Sequence, residues 1–251
     1  MSDESHTTDT PTVVLVHGAF ADGSSWSGVI ERLSRRGIKV TAPANPLRGI
    51  SADAAYATSV LAQTPGPVVL VGHSYGGAVI SNAATQADNV VGLVFVAAFA
   101  PDEGERLGEV EAGSKDSVLN SALVPLQYPT ADGGTATEFV IDPSKAREAF
   151  AGDLSDEQAA LIAAIQRPIA EAAFSEPNGA PAWKNLPSWA VVATGDKAAG
   201  TDVVRSMAER AGAKITEVDG SHVIMISQPD TVTNVIMEAV AAVGAPVGAA
   251  G

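Results

Sequence analysis

Short β-branched apolar runs alternate along this chain with segments whose apolar residues recur at helical spacing. Thr12 to His17 is the first strand-like run. Trp26 to Arg36 follows with Trp26, Val29, Ile30 and Leu33 on one helical face, stopping near Gly37. Lys39 to Ala42 reads as a short strand, Ala52 to Thr64 as a helix, Pro67 to Val71 as a strand and Tyr75 to Gln86 as a helix. Val90 to Ala97 is almost wholly apolar, which predicts a central strand covered on both faces. After a long interruption the rhythm returns, with strands over Ser188 to Thr194 and Ala213 to Val218 and helices over Thr201 to Ala211 and Pro229 to Val243. Repeated strand–helix–strand units predict an α/β fold, a mostly parallel six-stranded sheet flanked by helices.

The interruption covers residues 102–184 and divides a core of residues 11–101 and 185–243. It opens on the acidic segment Asp102 to Glu111 and continues through loop-like sequence around Asp132-Gly133-Gly134. One helix within it is clear. Ser155 and Gln158 form a capping box, Leu161, Ile162 and Ile165 continue the period, and Pro168 ends it. The expectation is an inserted, mainly helical cap over the strand ends that shapes a substrate pocket. Residues 1–10 are expected to be disordered and residues 244–251 to form a flexible tail.

Composition narrows the class. The chain has 251 residues, 46% hydrophobic and 18% charged, enough for one sizeable core. Fifteen Lys and Arg against 29 Asp and Glu give a net charge of −14, which repels nucleic acid and anionic membranes. No apolar run is long enough to cross a bilayer, and the polar, acidic start lacks the pattern of a secretory signal. A cytoplasmic location is the expectation. There is no cysteine, hence no disulfide, thiol nucleophile or thiolate site. His6, His17, His73 and His222 are scattered without metal-ligand spacing, so neither a metal nor another cofactor is expected.

The chemistry concentrates where the predicted strands end, the place where open parallel sheets bind ligands. Gly72-His73-Ser74-Tyr75-Gly76 links a strand directly to a helix. Small residues at 72 and 76 permit a turn too tight for side chains, which would lift the Ser74 hydroxyl above the helix N-terminus. A serine hydroxyl needs a base, and His222 in Asp219-Gly220-Ser221-His222 follows the last strand. His73 diverges from its neighbour on a tight turn and reads as structural, and His17 reads as fixing its own loop. For the acid that orients His222, Asp196 follows the fifth strand, with Asp102 after the fourth as the competitor; Asp219 fits a turn cap better. Two backbone N–H groups would hold the oxyanion, from Tyr75 and from the His17–Phe20 loop, where Ala19 is favoured. Phe20 and Phe99 are candidate pocket walls that fit the core equally well. Trp26, Trp183 and Trp189 read as packing.

Val16-His17-Gly18-Ala19-Phe20 with Trp26, Gly72–Gly77, Ala97-Ala98-Phe99-Ala100-Pro101-Asp102, Gly195-Asp196-Lys197 and Gly220–Pro229 together resemble the α/β-hydrolase superfamily. More narrowly they are similar to the branch of plant methylesterases of the salicylate-binding type, plant hydroxynitrile lyases and bacterial esterase relatives, over nearly the whole chain. The resemblance implies Ser74 as nucleophile, His222 as base, Asp196 as acid, and Ala19 and Tyr75 as oxyanion donors. It also raises a carbon–carbon lyase reading. The lyases of that branch carry a threonine where this chain has Gly18 and a lysine where it has Val223, and both differences favour ester hydrolysis. The expected activity is a serine carboxylic ester hydrolase, acting without cofactor on small, largely apolar esters. A small-molecule receptor on the same fold is the alternative from another class, and the chain is compatible with a monomer or a homodimer.

Overall fold

The computed structural model describes residues 10–244, so the readings of residues 1–9 and 245–251 as disordered lie outside the described residues. In chain order the first half gives β1 (Thr12–Val16), α1 (Ser27–Arg35), β2 (Val40–Thr41), α2 (Ile50–Ala62), β3 (Val68–His73), α3 (Tyr75–Ala83) and β4 (Val90–Val96). A long connection follows, with α4 (Leu107–Ala112), β5 (Leu123–Pro129), β6 (Thr135–Ile141), α5 (Ala146–Ala149), α6 (Asp156–Ile165), β7 (Ile169–Ala170) and α7 (Ala172–Ser175). The chain then closes with β8 (Ser188–Ala193), α8 (Thr201–Arg210), β9 (Lys214–Val218), α9 (Ile224–Ser227) and α10 (Pro229–Gly244).

Six strands form one sheet in the order β2-β1-β3-β4-β8-β9. All five pairings are parallel. The β-branched runs account for the centre: every residue of β3 and β8 is buried, as is all of β4 but one. Helices cover both faces, as an all-parallel sheet requires. On α1 the residues that face inward are Val29 and Leu33, and its end is marked by Gly37 at φ +76°. Helix α3 is buried along most of its length because it packs between α2 and strands β1, β3 and β4.

The connection from β4 to β8 holds four helices, and the capping box at Ser155 forms as its sequence predicts. The Gln158 N–H donates to Ser155 Oγ at 3.2 Å, and the Ser155 N–H donates to Gln158 Oε1 at 3.3 Å. It also holds a three-stranded antiparallel sheet, β5-β6-β7, where the sequence suggests only loop. The loop-like Asp132-Gly133-Gly134 is the turn of its hairpin. Gly133 sits at φ +84°, and the Thr130 N–H donates to the Gly134 carbonyl at 3.0 Å. Pro125 and Pro129 weaken the strand signal of β5, yet they are tolerated because β5 is an edge strand.

Candidate active site

The residues that carry chemistry converge at the carboxyl ends of β1, β3, β8 and β9. Ser74 links β3 directly to α3 and adopts φ +52° and ψ −123°, a conformation that costs a non-glycine residue about 1–3 kcal/mol. Three backbone hydrogen bonds hold it there. The Ser74 N–H donates to the Val96 carbonyl at 3.3 Å, and the Ser74 carbonyl accepts from the N–H of Gly77 at 2.9 Å and of Phe99 at 3.2 Å. The flanking glycines leave no room for a side chain. A Cβ on Gly72 would lie 2.6 Å from the Gly76 carbonyl oxygen, and one on Gly76 would lie 2.5 Å from that of Val16. A Cβ on Gly18 would meet the Ser74 Cβ at 2.7 Å, so the loop after β1 lies directly against the serine.

Asp196 and His222 come together from the loops after β8 and β9. These loops are tied by the Thr194 N–H to the Val218 carbonyl at 2.9 Å and the Gly195 N–H to the Gly220 carbonyl at 3.0 Å. His222 Nδ1 lies 2.8 Å from Asp196 Oδ2, both side chains being 1% exposed. Asp196 Oδ1 accepts the N–H groups of Ala198 at 2.9 Å and Ala199 at 3.0 Å, which fixes the carboxylate plane. Since a carboxylate only accepts, the tautomer of the neutral ring that this bond selects has its proton on Nδ1 and its lone pair on Nε2. That Nε2 is buried and has no protein partner among the described residues.

The other acid candidates are engaged elsewhere. Asp102 is paired with Lys184 at 2.5 Å, whose ammonium holds its carboxyl below the usual carboxylate range. Asp219 accepts from Thr194 Oγ1 at 3.3 Å on the surface. His73 is fully buried, and burial pushes its pKa well down, so its neutral ring donates from Nε2 to the His222 carbonyl at 2.9 Å. Its ring lies 4.7 Å from that of His222, beneath the loop that carries it. His17 is likewise held neutral, chiefly by burial. Its Nε2 accepts the Asn45 N–H at 2.9 Å and its Nδ1 donates to the Gly18 carbonyl at 2.9 Å, pinning the loop after β1. His6 lies outside the described residues.

The N–H groups of Ala19 and Tyr75 donate to no protein acceptor among the described residues. Phe20, which follows Ala19, has φ +59° and its ring stands edge-on to Phe150 at 6.1 Å. Phe150 in turn lies 5.1 Å from the His222 ring. Nothing in the spacing around Phe150 singles it out, since only the fold carries the connection between β4 and β8 back over His222. An apolar cavity of about 230 Å³ begins here, walled by Phe20, Phe150, Leu154, Ile162, Val223 and Met225 among others. Neither Ser74 nor His222 contributes to its wall; the cavity meets the site at Phe20, Phe150 and Val223. Phe99 is buried but absent from that wall. Among the described residues no cluster of three or more His, Asp or Glu is placed to hold a metal ion. No described helix is long and apolar enough to cross a membrane.

A six-stranded parallel sheet, a strained serine at a strand-to-helix turn and a buried His–Asp pair from the last two strands define the α/β-hydrolase class. The chain belongs to the alpha/beta hydrolase family, whose family model matches residues 13–235. Among solved structures it is similar to polyneuridine aldehyde esterase, at 22% identity over 92% of this chain and 99% of that one, with a TM-score of 0.77. A pyrethroid hydrolase from Sphingobium faniae JZ-2 matches at 24% identity over 92% and 98%, with a TM-score of 0.74. An extracellular α/β-hydrolase from a Paenibacillus species matches at 21% identity over 91% and 98%, with a TM-score of 0.73. That enzyme is described as sharing structural and functional homology with tobacco salicylic acid binding protein 2, the salicylate-binding type that the motifs resemble. A search of the curated proteins finds no match.

Proposed function

We propose that the protein is a serine carboxylic ester hydrolase acting on small esters with one apolar arm. The observation that carries this reading is the buried His222–Asp196 pair, with an unpartnered Nε2, and a strained Ser74 at the carboxyl end of β3 in the same sheet. Nε2 of His222 takes the Ser74 proton as Oγ bonds to the ester carbonyl carbon. Negative charge develops on the carbonyl oxygen, and the N–H groups of Ala19 and Tyr75 receive it. As the tetrahedral adduct collapses, the carbon–oxygen bond to the alcohol breaks and Nε2–H returns the proton to the leaving oxygen. Water, deprotonated by the same nitrogen, then cleaves the acyl-enzyme and restores Ser74. The cycle uses the side chains of Ser74, His222 and Asp196, the two backbone N–H groups and water.

The cavity beside the site supports this substrate class. Apolar sites of about 150 Å³ accept a benzene ring, so about 230 Å³ accommodates a ring with a short substituent or a folded alkyl chain. The names of the similar structures, an aldehyde esterase and a pyrethroid hydrolase, agree with acyl transfer from esters. Hydrolysis of p-nitrophenyl acetate and butyrate by the purified protein, beside Ser74→Ala, tests the reading. Turnover abolished by the substitution is the expected result. Equal, feeble rates from both proteins would refute it.

A further inference from the structure

Tyr75 contributes more than a peptide N–H. Its hydroxyl reaches α2 and donates to Oδ2 of Asp53 at 2.7 Å. Asp53 sits in the first turn of α2, 1% exposed, and both its oxygens accept the Arg48 N–H at 3.1 Å. Among the described residues no cation pairs with it, the Arg48 guanidinium being taken by Glu138 of β6 at 2.6 Å. Burial pushes the Asp53 carboxyl up, and together with Asp53 it pushes the Tyr75 phenol well up. An acid in so dry a place is costly, and apolar packing would hold two helices together without it. A carboxylate adds direction. Its backbone donor and the field at the start of α2 fix its plane, and the phenol then has one orientation open to it.

Tyr75 is the first residue of α3, so its peptide N–H lies next to Ser74 and has no acceptor within the helix. We propose that Asp53 is a positioning residue for the oxyanion hole: by holding the Tyr75 hydroxyl, it sets the direction in which the Tyr75 N–H points beside Ser74. This rests on the reading of Ser74 as nucleophile. The turn that presents the Arg48 N–H is itself tied to the β4–β8 connection, through Arg48–Glu138 and through the Ala170 N–H to the Leu47 carbonyl at 2.9 Å. Asp53 therefore connects the small antiparallel sheet to the oxyanion donor.

The test is phosphonylation of Ser74 by a fluorophosphonate, followed by intact-protein mass spectrometry. Here a Ser74 Oγ–P bond forms, the P–F bond breaks, fluoride leaves, and the serine proton passes to His222. The phosphoryl oxygen occupies the oxyanion hole, so no ester substrate need be known. Tyr75→Phe and Asp53→Ala are each expected to slow labelling about tenfold or more. The double variant should be no slower than the slower single, because both remove one bond. Asp53→Asn, whose amide oxygen still accepts the phenol, should restore most of the rate, whereas Asp53→Leu, which fills a similar volume without an acceptor, should not; equal rates from the two would overturn the positioning role. Near-UV circular dichroism checks that each variant is folded, and Tyr75→Phe carries the test if Asp53→Ala does not fold. A folded Tyr75→Phe that labels at the wild-type rate overturns the role of Asp53 and leaves Ser74 as nucleophile. Wild-type protein that is not labelled overturns the nucleophile, and the positioning role with it.

Discussion

Replacing Asp196 with asparagine exchanges one carboxylate oxygen for an amide nitrogen, and the hydrogen bonds around the group set the outcome. Oδ1 accepts two backbone N–H groups, from Ala198 and Ala199, and Oδ2 accepts His222 Nδ1–H. Asparagine has one acceptor oxygen for these three donors. If the oxygen stays with the two backbone groups, the amide NH2 faces the ring. Nδ1 must then accept, the proton moves to Nε2, and the lone pair that would deprotonate Ser74 is gone. If the amide flips, the ring keeps its useful tautomer, but two buried backbone donors are orphaned at about 1–3 kcal/mol each. The base-competent arrangement is thus disfavoured by about 2–6 kcal/mol, which corresponds to roughly a 30-fold to 10⁴-fold loss at about 1.4 kcal/mol per factor of ten. Loss of the charge facing the developing imidazolium adds to this. We expect kcat/KM for p-nitrophenyl butyrate to fall at least about 100-fold, with the fold retained. Asp102→Asn is the matched control. Its pair with Lys184 is part-exposed and contributes about 0–1 kcal/mol, so activity should stay at the wild-type level. An Asp196→Asn enzyme retaining more than about a tenth of wild-type activity would refute the tautomer argument. A collapse on Asp102→Asn would assign the acid to the other carboxylate.

Phe150→Leu removes the ring between the apolar cavity and His222. It should raise the ratio of kcat/KM for p-nitrophenyl octanoate over acetate about tenfold; an unchanged ratio separates the cavity from the substrate. Gly76→Ala forces a Cβ to 2.5 Å from the Val16 carbonyl oxygen, so thermal unfolding should shift down by the equivalent of about 1–3 kcal/mol, and an unshifted Tm would contradict the tight turn. Burial depresses the pKa of both His17 and His73, so below about pH 6.5 the unfolded chain binds protons that the folded one refuses. Their contribution to stability is complete above that pH and is lost as pH falls, by up to about 1.4 kcal/mol per pH unit for each ring. Urea titrations at pH 7.5, 6.5 and 5.5 measure this, and identical midpoints would show that the rings carry no such linkage.

The sheet is legible in the sequence because β3, β4 and β8 are buried on both faces and therefore read as unbroken apolar runs. The elbow is legible because steric limits at 72 and 76 permit glycine alone, and a steric rule leaves a local mark. The hairpin of β5 and β6 is harder to see. Two prolines dilute its period, and its single strong signal, Asp132-Gly133, reads equally well as loop. Asp53 and Phe150 leave no local trace. Asp53 stands in α2 as an ordinary acidic residue of a first helical turn, and its meaning comes from Tyr75, 22 positions away. Phe150 acquires its place beside His222 only when the connection folds back across the strand ends.

The order in which the strands enter the sheet has a consequence for synthesis. β1, β3 and β4 lie within the first hundred residues, so every strand that flanks the turn carrying Ser74 precedes Asp196 and His222 in the chain. His73 and His222 are 149 positions apart, and at 5–20 residues per second roughly 7–30 s of translation separate them. Throughout that interval, on the proposed reading, the chain carries Ser74 without its acid or its base. On the proposed reading, activity waits for β8 and β9 to join the sheet, bringing first Asp196 and then His222.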